Sequence, residues 1–185
     1  RDSKGIYWRT TKFNGLGLTR FRDADIYPDG GAGKKQPFNV LFKDVIIKTS
    51  YLDEENGYYY MFVQKAAGAK PGVYRIALSK LQNADGSDVE GNADLTIADC
   101  QLIDDSPVYM DGAEDSGEIC NIAQINGDGT NIYWSYIAAP SDDKAIKGSV
   151  ALDANNPLHK SGIKTIKSAD AQPVVTFAVE GVEAY

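Results

Sequence analysis

The chain has 185 residues, 43% of them hydrophobic, with a formal charge of −7, one histidine and two cysteines. That length buries one core or at most two small ones, and the lone His159 with no Cys-x-x-Cys pair argues against Cys/His metal chemistry and against a Ser-His-Asp hydrolase. Charge is segregated: residues 81–143 hold fourteen acids and no Lys or Arg (−14), and the rest holds 19 bases against 12 acids (+7), which argues against nucleic acid as a partner because phosphate binding needs a continuous basic face.

In chain order the predicted elements are strands. "GIYWRTTKF" (5–13) and "GLGLTRFR" (15–22) come first, and "FRDADIYPDGG" reads as a turn. "NVLFKDVIIKTSYL" (39–52) and "YYYMFVQK" (58–65) flank "DEENG", and Asn56-Gly57 tolerates the positive φ of a tight hairpin. "GVYRIALSK" (72–80), "ADLTIADCQLI" (93–103), "EICNIAQI" (118–125), "NIYWSYIAA" (131–139), "IKGSVALD" (146–153) and "QPVVTFAVEGVEAY" (172–185) follow. "SKLQNADG" and "PSDDKAIKG" have room for a helical turn each. The expectation is one all-β domain over 1–185, built of antiparallel blade-like sheets (a partial propeller) or a β-sandwich. No apolar run of about 18 residues occurs, so no membrane-spanning helix is expected. The first residue is Arg rather than Met and the composition is rich in Gly, Tyr and turn pairs, as in a processed, exported protein, extracellular or periplasmic.

Several side-chain groups are candidates for function. In "NADGSDVEGNAD" the carboxylates of Asp85, Asp88, Glu90 and Asp94 alternate with Gly and Ser in a loop, a pattern that suits the six to eight oxygen ligands of Ca²⁺; the alternative is a solvated acidic loop. Cys100 and Cys120 enclose a short loop whose closure by a disulfide is worth about 3 kcal/mol in the chain-entropy picture, the alternative being two buried thiols. Consecutive rings along two strands put half of the aromatics in the core and leave the other half for stacking on sugar rings or for a protein interface; Tyr59, Tyr60, Tyr133 and Trp134 are the glycan-binding candidates.

A shift of 74 residues lays "YYYMFV" on "IYWSYI", "RIALS" on "SVALD" and "DVII" on "EICN", a weak internal repeat 44–80 / 118–154 with a carboxylate, Asp44 or Glu118, heading each copy. A strand headed by a carboxylate, then "NGYYYMF" or "DGTNIYWSYIA", then a Gly turn and "VYRIALSK", resembles the blades of five-bladed β-propeller glycoside hydrolases, family 43 and its relatives. The resemblance covers about residues 1–154. It implies a glycan substrate, polysaccharide or oligosaccharide, with Asp44 in the place of the carboxylate that orients and tunes and Glu118 in that of the acid that protonates the glycosidic oxygen. Five blades need roughly 280–300 residues, so the chain corresponds to about half a propeller. A second function competes: "PVVTFAVEGVEAY" alternates Val175, Phe177 and Val179 on one face, and such a strand is able to add to a neighbouring subunit's sheet edge, making the protein a self-assembling fibre or surface-layer subunit.

Overall fold

The computed structural model describes residues 1–11, 17–26, 40–105, 110–111, 118–119, 122–137, 161–171 and 175–179. Alternating apolar residues interrupted by Gly and Asn turns become three antiparallel sheets. The first holds β1 (Tyr7–Thr11), β2 (Gly17–Phe21) and β3 (Val40–Leu41), with a four-residue helix, Asp23–Ile26, after β2. The second is a meander of β4 (Ile46–Asp53), β5 (Tyr58–Lys65), β6 (Gly72–Ala77) and β7 (Gln101–Asp104). A two-stranded ribbon of β8 (Met110–Asp111) and β9 (Glu118–Ile119) precedes the third sheet. That sheet is again a meander: β10 (Ile122–Gly127), β11 (Asn131–Ile137), β12 (Ser161–Lys167) and β13 (Val175–Val179). The all-β expectation holds.

The Asn-Gly hairpin forms as its chemistry requires. Asp53 pairs with Tyr58 at the end of the ladder, Gly57 takes φ 75°, and the Gly57 amide donates to Asp53 O at 3.0 Å. Other elements differ from the sequence reading. The run 39–52 is two strands, because Phe42 and Asp44 adopt left-handed φ of 53° and 68° and turn the chain between them. Of 93–103 only Gln101–Asp104 reaches a ladder; Asn92–Asp94 and Ile97–Asp99 are 3-10 turns, the latter held by Asp99 Oδ2, which accepts from Thr96 N at 2.8 Å and Thr96 Oγ1 at 3.2 Å. The terminal strand Val175–Val179 pairs with β12 of its own sheet.

The second sheet lies between the other two, and its two faces fill two different cores. Tyr59, Met61, Val63, Tyr74 and Ile76 pack with Leu18, Leu41 and Phe42, and Trp8 stacks on Tyr59 with centroids 5.4 Å apart. Tyr60, Phe62, Val73 and Ile103 pack with Ile125, Ile132, Trp134 and Ile166. Tyr59 through Gln64 are therefore all buried, which a strand achieves only when both faces are covered. One pairing recurs in every sheet: an aromatic residue stands opposite a cation, Trp8↔Arg20, Tyr60↔Arg75 and Trp134↔Lys164. In the third sheet Ser161–Lys167 stands beside β11 as Gly72–Ala77 stands beside β5 in the second. Residues 146–153 lie outside the described ones.

A buried polar chain fastens the second sheet to the third. Arg75 donates from Nη1 to Ser168 O at 2.5 Å and to Tyr60 OH at 3.3 Å; Tyr60 OH in turn donates to Ser168 Oγ at 2.8 Å, and Ser168 Oγ donates to Asp53. Asp53 and Ser168 are 2% and 0% exposed, so each of these bonds replaces one lost to water.

Candidate functional site

The candidate site lies at the seam between the second and third sheets, at the turn joining β10 to β11. The local sequence Asp128-Gly-Thr-Asn131 builds it. Asp128 Oδ1 accepts from the amides of Thr130 at 2.9 Å and Asn131 at 2.7 Å, and its Oδ2 accepts from Asn131 Nδ2 at 3.3 Å and from Tyr133 OH. These donors hold the Asp128 carboxyl well below the usual carboxylate range, with the Asn131 amide first among them, and the hydrogen bond from Tyr133 to Asp128 raises the Tyr133 phenol above its ordinary value.

Opposite this turn stands the hairpin of the second sheet. Asn56 Nδ2 donates to Gly129 O at 2.7 Å and to Asp53 Oδ2 at 3.0 Å, crossing the seam. Gly129, at φ 89°, leaves room for the Glu55 carboxylate, which lies where a side chain would begin. Gly127 does the same for Tyr51, whose ring carbon Cε1 is 2.6 Å from the place a Cβ would occupy. Burial, and then the carboxylates of Asp53, Asp128 and Glu55, push the Tyr51 phenol up. The seam thus presents two half-buried tyrosines, Tyr51 and Tyr133, beside the exposed carboxylates of Asp128 and Glu55 and the half-buried Asn131. Rings offering a C–H-binding face next to fixed acceptors for hydroxyl protons are what a sugar needs.

Of the four ring candidates, only Tyr133 keeps an exposed part. Tyr59, Tyr60 and Trp134 are 1%, 0% and 1% exposed and belong to the cores, which corrects their assignment as a stacking platform. The expectation of one wet face failed because β5 has a sheet on each side. Tyr51 was missed; its signal was the pair of glycines at 127 and 129 that its hairpin packs against.

The two carboxylates that head the repeat are differently placed. Asp44 is exposed in the turn before β4, and Glu118 is in the two-stranded ribbon, backbone-paired with Asp111, with its side chain outside the described residues. The calcium candidates are spread along their loop. Asp85 accepts from Ser87 N at 2.9 Å and Ser87 Oγ at 2.6 Å, Asp88 from Arg20 Nη1 at 2.5 Å and Asn92 Nδ2 at 3.0 Å, while Glu90 and Asp94 are exposed. Among the described residues no three His, Cys, Asp or Glu side chains come together as a metal-binding group. Among the described residues Cys100 is a free thiol whose Sγ donates to Thr96 O at 3.8 Å; Cys120, its expected bridge partner, lies outside the described residues. Burial pushes the Cys100 thiol up to about 12. Among the described residues no helix is long and apolar enough to cross a membrane.

No protein-family model matches the chain, and no curated protein matches it.

Proposed function

We propose that this chain is an exported glycan-interacting domain that meets its sugar at the Tyr51–Tyr133 seam. The observation supporting the reading is Tyr133, the one ring of the four candidates left partly exposed, hydrogen-bonded to Asp128 and set beside Glu55 and Asn131. A sugar laid on that ring directs its hydroxyls at the Asp128 carboxylate, which the turn already holds in place, so little ordering is required on binding. Oligosaccharides of arabinan and xylan, titrated into the protein and followed by calorimetry, test it: Tyr133→Ala should weaken binding about tenfold or more, and Tyr133→Phe, which keeps the ring, should weaken it less. Equal binding by Tyr133→Ala and the parent chain overturns this reading.

A narrower form of the proposal makes the chain part of a glycoside hydrolase of the family 43 type. The two four-stranded meanders support it, and it requires Asp44 and Glu118 to act on one bond. Asp44→Asn and Glu118→Gln should then each abolish sugar release while leaving the melting temperature unchanged.

A further inference from the structure

A second place on the molecule has the form of a binding pocket. Between β2 and the loop that follows β6 is an open cleft of about 260 Å³, lined by Ile6, Arg20, Phe21, Arg22, Asp25, Gly86, Ser87 and Asp88. This is below the ~300–1,000 Å³ of sites for drug-sized ligands, which limits its occupant to one small ring.

The floor is rigid. Arg20, with its side chain 3% exposed, donates from Nη1 to Leu81 O and from Nη2 to Gln82 Oε1 and Gly86 O, pairs with Asp88 at 2.5 Å, and lies over the Trp8 ring at 4.5 Å. Among the described residues its buried Nε has no hydrogen-bond partner. The rim is different. Arg22 is exposed, and among the described residues its guanidinium makes one hydrogen bond, from Nη2 to Asp85 O at 2.9 Å. Asp25, exposed on the rim, accepts the Arg22 amide on Oδ2.

The wall chemistry selects the ligand. Spare guanidinium donors call for an acceptor group with two oxygens, and Arg pairs best with a planar carboxylate. Asp25 and Asp88 in the same lining repel a multiply charged phosphate but accept protons from hydroxyls. Ile6 and Phe21 offer an apolar wall to C–H groups. We propose that this cleft is a site for a sugar acid: a uronate residue whose carboxylate meets Arg22, whose hydroxyls bond Asp25 and Ser87, and whose ring lies against Ile6 and Phe21. The site extends the glycan reading to a second place and does not depend on the seam.

The test is an NMR titration of the ¹⁵N-labelled chain with D-galacturonate, D-glucuronate and D-mannuronate, against D-galactose, D-glucose and acetate. At least one uronate should shift the amides of Phe21, Arg22, Gly86 and Ser87 in a saturable way, about tenfold more tightly than its neutral counterpart and than acetate. A trigalacturonide arm distinguishes the free sugar from a polymer end. Arg22→Ala should cost about tenfold or more with the rest of the spectrum unchanged, Asp25→Asn should weaken the uronate, and Tyr133→Ala should leave the titration as it is. The proposal is overturned by no shift of those amides with any of the three uronates, by equal affinity for uronate and neutral sugar, or by an Arg22→Ala chain that titrates like the parent.

Discussion

Arg75 Nη1 donates to Ser168 O at 2.5 Å across 93 residues of chain, and through Tyr60 and Ser168 the guanidinium is linked to the carboxylate of Asp53. One side chain from β6 thus joins the second sheet to the third. Removing it takes the charged donor from the buried Ser168 O and Tyr60 OH, and Arg75→Met should cost about 3 kcal/mol in urea unfolding. Arg75→Lys, keeping the charge but not the fork of donors, should cost less.

Gly127→Ala should destabilise the fold by about 1–3 kcal/mol, because the new Cβ would lie 2.6 Å from the Tyr51 ring and 2.8 Å from Ile132 Cδ1. Gly91→Ala is the control: nothing lies within 4 Å of its Cβ position, and its cost, about 1 kcal/mol, comes only from φ 77°. Thermal melts of the two variants should rank them in that order.

Asp128 has a folded-state pKa below its ordinary value of 3.8, so its contribution to stability is present above that value and is lost as pH falls through the lower folded value. Tyr133 runs the other way: raised above 10.0, it contributes below that pH and loses the contribution as pH rises through its folded value. Tyr133→Phe should therefore start acid unfolding at higher pH than in the parent chain and remove one tyrosine from the high end of a spectrophotometric alkaline titration.

With its thiol pushed up to about 12 by burial and by neighbouring Asp99, Cys100 should react slowly with iodoacetamide at pH 8. In a Cys120→Ser chain, which isolates it, alkylation in buffer should be about tenfold or more slower than in denaturant.

How much of this was legible depended on how far apart the deciding residues lie. The hairpin of β4 and β5 is written locally: two β-rich runs around Asn56-Gly57, and the ladder follows. The 3-10 turn at 97–99 was hidden because Thr96 and Asp99 settle it through side-chain bonds that compete with the strand its Leu and Ile suggest. The fate of Tyr59 and Tyr60 was out of reach, since it is set by Trp8 on one side and by Ser168 on the other. Arg20 is a similar case: its partners are 61 to 68 residues away, and nothing near it in sequence marks it as buried. The seam was half legible, with Tyr133 visible as an aromatic strand residue and Tyr51 visible only once Gly127 is known to face it.

The double burial of β5 has a consequence during synthesis. Its first core closes when residues up to 97 have been made, but Tyr60 and Phe62 wait for Ile125, Ile132, Trp134 and Ile166. A ribosome adding roughly 5–20 residues per second leaves the "YYYMFV" segment with one bare aromatic face for seconds, long enough for two nascent chains to find each other through it. A lower expression level, which keeps nascent chains apart, should therefore raise the soluble yield more than any change to the surface.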